Sequence, residues 1–201
     1  MSKLDKSTVA LTFKFDCDRF LRYRLATTHE IKSKLVPDSV EMRNRSRPGI
    51  NLITAQGRAW EAYCYDDIVI AAKDKVEFRK GEFDSEIDRH KYAELDVLGL
   101  LAKSNPPTFI IEGKFSVPGA LSPGLKAALD SKRLEEASGR PDLLWIRPYA
   151  AGVPLVKAAG NECEHIIHVI DVKLAAEPSL RHFVEVTFYA LGLQAFLEER
   201  G

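Results

Sequence analysis

Asp142, Asp171 and Lys173 are the residues of this sequence best placed to do chemistry together. Asp142 follows Pro141 and directly precedes Leu143-Leu144-Trp145-Ile146, a run apolar enough for a buried strand. A carboxylate buried without a partner is among the costliest groups a fold can hold, so Asp142 needs a cation. Further along, "HVIDVKL" sets Asp171 and Lys173 two residues apart. Side chains alternate across a strand, so these two share one face, with Ile167 and Val169 before them. Ile166, Ile170, Val172 and Leu174 are then the core face. Opposite charges at one strand's end, beside a carboxylate at another strand's start, make a cluster suited to a hard divalent cation on carboxylate and main-chain oxygens. Lys173 would stand where an ammonium orients a water or stabilises developing phosphoryl charge.

Those three residues need strands to carry them and helices to cover the strands. "DLLWIRP" and "EHIIHVIDVKLA" read as two strands, the second rich in β-branched residues. "TFIIEGKFSV" reads as a third, and "PGALSPGLKAALDSKRLEEASG" as a turn with a helical excursion. Upstream, "DCDRFLRYRLATTHEIKSKL" and "RAWEAYCYDDIVIAAK" read as helices, separated by the loop "VPDSVEMRNRSRPGI"; "HKYAELDVLGLLAK" reads as a third helix. After Pro178, which suits a first helical turn, "SLRHFVEVTFYALGLQAFLEER" makes a long closing helix. On it His182, Glu185 and Tyr189 lie at i, i+3 and i+7 and share one face, while Phe183, Val186, Ala190 and Leu193 form a neighbouring apolar stripe expected to pack on the sheet. Helices, then strands with an inserted helix, then a covering helix define an α/β or α+β chain.

The 201 residues, 45% hydrophobic and 29% charged, suit a single domain with its own core. Within it, residues 1–56 form a basic helical and loop region and 57–201 the catalytic core. No apolar run approaches a membrane span, and the N-terminal stretch lacks the pattern of a signal peptide. Cys17, Cys64 and Cys163 are odd in number and scattered, which disfavours a disulfide scaffold or zinc ribbon and favours the reducing cytoplasm. Net charge is zero, so a polyanionic partner must be met locally. Residues 1–47 carry eleven Lys or Arg against six Asp or Glu, Arg19 and Arg22 among them, a face able to guide a phosphate backbone. No G-x-x-x-x-G-K-[ST] motif is present, so no ATP motor is expected.

Pro141-Asp142 followed by Asp171-Val172-Lys173 resembles the PD-(D/E)XK nuclease signature, both halves in order. "GRPDLLWI" resembles the G-x-x-D-hydrophobic strand of the RecB-like exonuclease branch. Glu185 and Tyr189 stand at the spacing of that branch's Q-x-x-x-Y helix, Gly57 and Glu61 at that of its G-x-x-x-H helix, and "CDRFLRY" is similar to its C-P-R-x-F-x-Y segment. The likeness spans the chain from Cys17 to Tyr189. It implies a restriction-endonuclease-like core, a mixed central sheet flanked by helices, and metal-dependent hydrolysis of DNA phosphodiesters, single- or double-stranded.

In that reading Asp142 and Asp171 are ligands of Mg²⁺ or Mn²⁺, with Glu61 and the Val172 carbonyl completing the set. Lys173 is the base or charge stabiliser, and Tyr189 acts beside it. Glu185, His182, Arg19 and Arg22 stand next to the substrate or support the site. A helicase or another defence or repair subunit is the expected partner, with no membrane involved. Glu185 departs from the family's Gln, an acceptor where an amide both donates and accepts, which suits pairing with Lys173 or Arg181 better than phosphate contact. Glu61 replaces His with a hard oxygen ligand, which fits Mg²⁺ or Mn²⁺. Some relatives hold an iron–sulfur cluster on one N-terminal and three C-terminal cysteines. Cys17 matches the first, but no cysteine follows Cys163, so no such cluster is expected here. Three alternatives remain at this stage. The first is a catalytically silent domain of this fold that binds nucleic acid or scaffolds a complex, and the second a hydrolase of small nucleotides. The third makes Glu112-Gly113-Lys114, with Asp96, the active strand, although Gly113 would weaken its centre.

Overall fold

The computed structural model describes residues 3–15, 25, 49–81, 92–131, 134–149, 165–175 and 177–200. The helix expected over residues 16–35 and the loop over 36–50 lie almost wholly outside them, as do Arg19, Arg22, Cys17 and Cys163. In chain order the elements are β1 (Lys3–Leu4), α1 (Lys6–Phe15), α2 (Ile50–Ala72), β2 (Val76–Glu77), β3 (Arg79–Lys80), β4 (Tyr92–Ala93), β5 (Leu95–Asp96) and α3 (Leu98–Leu101). β6 (Phe109–Ile111), β7 (Gly113–Ser116), α4 (Pro123–Asp130), β8 (Glu136–Gly139), β9 (Leu143–Pro148), β10 (His165–Ile170) and α5 (Leu180–Arg200) follow. The class is mixed α/β.

Among the described residues the strands form two four-stranded sheets, in the orders β10-β9-β6-β2 and β1-β8-β7-β5, and a small β3-β4 pair. The larger two are mixed: β10, β9 and β6 run antiparallel while β2 lies parallel to β6. They join where one antiparallel ribbon, β6-β7 against β8-β9, bends at Glu112 and Asp142. Glu112 sits there in the left-handed region at φ 54°, rare for a residue with a Cβ, and its N–H still donates to the Asp142 carbonyl at 3.0 Å. The bend turns what the sequence suggests is one strand, residues 108–117, into two.

Alternation sends neighbouring side chains to opposite faces. Ile110, Leu144 and Ile146 enter one core cluster with Phe188, Tyr189, Leu193 and Phe196 of α5. Ile111 and Leu143 enter a second with Tyr65 of α2, Val76 and Tyr92. The sheet is thus covered by α5 on one face and α2 on the other, and α1 packs along α5. Local chemistry sets the helix starts. Asp5 accepts the Thr8 N–H at 2.8 Å ahead of α1, and Ser122 accepts the Leu125 N–H at 3.1 Å with Pro123 in the first turn of α4. In the β7-β8 pair Gly139 lies opposite Phe115, whose ring occupies the space a Cβ would take.

Several expectations from sequence need correction. Residues 92–101 are not one helix: Tyr92 is buried edge-on to Tyr65, and Leu95–Asp96 pairs parallel with β7, leaving a single helical turn after them. "EASG" is strand β8, held between β1 and β7, because tertiary pairing overrides its weak β propensity. α2 begins at Ile50, so the boundary drawn at 56/57 falls inside it. Strand β10 ends at Ile170, and Asp171, Val172 and Lys173 lie just beyond, with Leu174 57% exposed rather than in the core. On α5 the buried residues are Glu185, Phe188, Tyr189, Gly192, Leu193, Ala195 and Phe196, while Phe183 is 61% exposed. The stripe that packs is one step round the helix from the all-apolar one, because α1 covers the flank that bears Glu185.

Candidate active site

The antiparallel β9-β10 pair sets Leu143 opposite Ile170, so the residue before one strand and the residue after the other meet at one end of the sheet. Those residues are Asp142 and Asp171. The Val172 N–H donates to Asp142 Oδ2 at 2.6 Å, and the Lys173 ammonium reaches that same oxygen at 3.4 Å and Asp171 Oδ1 at 2.9 Å. The three residues singled out from sequence therefore form one hydrogen-bonded group, although the strand alternation invoked to align Asp171 with Lys173 does not extend that far.

A residue the sequence reading passed over stands at the centre. Lys6, in the first turn of α1, donates to Asp171 Oδ1 at 2.9 Å, with Asp142 Oδ1 at 3.7 Å and Glu185 Oε2 at 3.9 Å. Its Nζ also lies 5.2 Å from the centre of the Tyr189 ring, within cation–π range. A cation at a helix N-terminus opposes the helix dipole, and the three carboxylates compensate it. Asp5, whose side chain caps α1, is the local signal that could have placed this helix; nothing local announces where Lys6 points. Glu185 is held from its other side by Arg181, Nε to Oε1 at 2.7 Å, one of the two pairings its type suggested.

Burial raises the Asp142 carboxyl above its usual range, the Lys6 charge opposing and the Asp171 charge adding to the shift. Burial acts on Asp171 too, but there the Lys6 and Lys173 ammonium groups outweigh it and the net shift is downward. Burial lowers Lys6, and its carboxylate partners more than reverse that, so it stays a cation. Glu61, on α2, faces the cluster: burial first and the Asp142 charge second raise its pKa, opposed by Lys173 and Lys6. Tyr189 is buried and pushed up by desolvation, which keeps its hydroxyl protonated. His182 does not join the group; its Nδ1 accepts the Ser179 N–H at 3.1 Å. It does line an open groove of about 390 Å³ with Asp171, Lys173 and Phe183, which gives the cluster a way to solvent.

A second set of groups lies at the ribbon's bend. Glu112 Oε1 accepts the Tyr65 hydroxyl at 3.2 Å and Oε2 lies 3.1 Å from Arg140 Nε, while Arg140 also reaches Glu94 at 2.9 Å. Tyr65 is one helical turn beyond Glu61, so this contact ties down the stretch of α2 that presents Glu61 to Asp142. On the alternative strand Glu112-Gly113-Lys114, Lys114 pairs with Glu94 at 2.9 Å and Asp96 caps the Leu98 N–H at 3.1 Å, so its charged groups form a separate set that Arg140 links through Glu94 to Glu112.

Among the described residues, no three His, Cys, Asp or Glu side chains converge on one point as ligands of a metal do; the carboxylates converge on Lys6. The donor set nonetheless suits a hard cation, being all oxygen. Asp171 Oδ2 and Glu185 Oε2 are buried without a hydrogen bond among the described residues, on side chains only 2% and 1% exposed. Buried carboxylate oxygens rarely lack a hydrogen bond, and these two, Glu185 Oε2 with only the Lys6 ammonium at 3.9 Å, call for an ion or a donor. No helix of the described residues is long and apolar enough to cross a membrane. No family model, curated protein or solved structure matches this chain.

Proposed function

We propose that this chain is a metal-dependent nuclease with a restriction-endonuclease-like core, hydrolysing DNA phosphodiester bonds as part of a larger DNA-processing or defence assembly. One observation carries the reading: Asp142 and Asp171, brought together at one end of an antiparallel strand pair, share the Lys173 ammonium at a groove open to solvent. Asp142, Asp171, Glu61 and the Val172 carbonyl are the groups that would hold Mg²⁺ or Mn²⁺. Such an ion supplies Lewis-acid polarisation of a phosphoryl oxygen and an acidified water. Lys173 is the cation nearest the groove and is positioned to stabilise charge developing on the phosphate. The Val172 N–H fixes Asp142 Oδ2, so Oδ1, which now faces Lys6 at 3.7 Å, is the oxygen that would turn to a ligand. Tyr189 acts as a rigid wall beneath Lys6. Glu185, tied to Arg181, adds negative potential to the cluster rather than a contact to DNA.

The test is incubation of the purified chain with linear, circular and single-stranded DNA in Mg²⁺ or Mn²⁺. Degradation that vanishes with EDTA and in Asp171→Ala is the expected result; cutting that persists in Asp171→Ala overturns the assignment. A second reading, a silent domain of the same fold that binds nucleic acid or scaffolds a complex, is favoured by Lys6 already neutralising the carboxylates. Lack of Mn²⁺ uptake together with retained DNA binding would select it.

A further inference from the structure

We propose that Lys6 is a built-in counter-cation that competes with the divalent ion, so that docking of its ammonium and loading of the metal exclude one another. This regulation of the site rests on the metal-dependent reading above. Lys6 Nζ lies within 4 Å of Asp171, Asp142 and Glu185, the three acidic groups most buried in the cluster. It shares Asp171 Oδ1 with Lys173, so that oxygen already serves two ammonium groups, while Asp171 Oδ2 and Glu185 Oε2 accept no hydrogen bond among the described residues. Four carboxylates, Asp142, Asp171, Glu185 and Glu61, face three protein cations, Lys6, Lys173 and Arg181. With all four ionised, adding a dication turns one net negative charge into one net positive charge in a poorly solvated space, whereas exchanging it for Lys6 brings the set to balance.

Lys6 is also the cation able to leave. Arg181 is held on Glu185 Oε1 through its Nε at 2.7 Å, and Lys173 borders the groove where substrate would arrive. Lys6 sits on a flexible four-carbon stem, and its backbone is held independently by the parallel pairing of Lys3–Leu4 with β8 and by the Asp5 cap. Withdrawal of the side chain therefore requires no unfolding of α1. Released, the ammonium is free to meet a phosphate, so that substrate and metal favour the same state.

Two measurements on the whole chain test this. First, Mn²⁺ is titrated by calorimetry into wild type, Lys6→Met, Lys6→Gln and Asp171→Ala. Both Lys6 variants should bind at least about tenfold more tightly than wild type, as expected when the ion no longer has to displace an ammonium held within about 4 Å of three carboxylates. Asp171→Ala should lose binding. Second, wild-type Lys6 is labelled with an amine-acylating reagent and quantified by mass spectrometry, with EDTA or Mn²⁺ present. Labelling should rise several-fold in Mn²⁺, a readout that needs no variant to fold. Wild-type binding through Asp171 with no gain in either Lys6 variant, or with unchanged Lys6 labelling, overturns the competition and leaves the metal-dependent reading intact. Absence of Mn²⁺ uptake by wild type and variants alike overturns both.

Discussion

Raising the pH from 5 to 8 should destabilise this fold through Glu112, and the size of the effect follows from where that carboxylate sits. Burial pushes its pKa up from 4.5 to about 7, the Arg140 guanidinium opposing the shift and the Asp142 charge adding to it. At low pH the group is protonated in both folded and unfolded chains, and its contribution to stability is fully present below about pH 4.5. As pH rises the unfolded chain loses this proton first, so the folded state binds more protons and its stability falls until pH passes about 7. That separation corresponds to about 3 kcal/mol, most of which is lost between pH 5 and pH 8. Glu112→Gln keeps the shape and an acceptor for the Tyr65 hydroxyl, and Arg140 retains Glu94. Urea unfolding of both proteins at the two pH values isolates the effect, because Asp142, Glu61 and Asp171 titrate in each. The variant should lose about 2–3 kcal/mol less than wild type over that interval. Equal losses in the two proteins would refute the placement of Glu112 as a buried, ionising group.

Lys173→Met should slow metal-supported DNA cleavage by about 10²–10³-fold, the usual effect of deleting a group that stabilises transition-state charge. Calorimetry should find its Mn²⁺ affinity undiminished, since a cation and not a ligand is removed. Gly139→Ala should destabilise the fold by about 1–3 kcal/mol in thermal melts, since the new Cβ would lie 2.3 Å from the Phe115 ring. Combining it with Phe115→Leu should recover part of that loss. Leu193→Ala should cost about 2–5 kcal/mol and Phe183→Ala less than about 0.5 kcal/mol by urea unfolding; similar losses would mean that the buried face of α5 is wrongly assigned.

Some of this molecule was legible before any coordinates. β9 and α5 announce themselves, one by a continuous apolar run behind Pro141-Asp142, the other by twenty residues of helical periodicity. Asp142, Asp171 and Lys173 were legible as a group because a charged residue flanking an apolar strand needs a partner, whatever the fold. Residues 92–101 misled because Tyr92, Leu95 and Leu98 fit a helical spacing as well as a strand, and their burial against Tyr65 and beside β7 decides between them. The bend at Glu112 left one local trace, the neighbouring Gly113, but a left-handed glutamate is tolerated only where Tyr65, Arg140 and the Asp142 carbonyl hold it.

The sequence by itself determined the mixed α/β class and the residue types capable of binding a hard cation, because periodicity and charge at strand ends are local properties. Only the tertiary structure decided which other groups would share that space. Lys6 lies 165 residues from Asp171 along the chain and meets it because α1 packs on α5. Glu185 was already legible beside Tyr189 on α5, but its distance to Lys6 is set by what packs on that helix. Long-range electrostatics of this kind depend on distances that no spacing in the chain encodes, and here they place a second ammonium among the carboxylates.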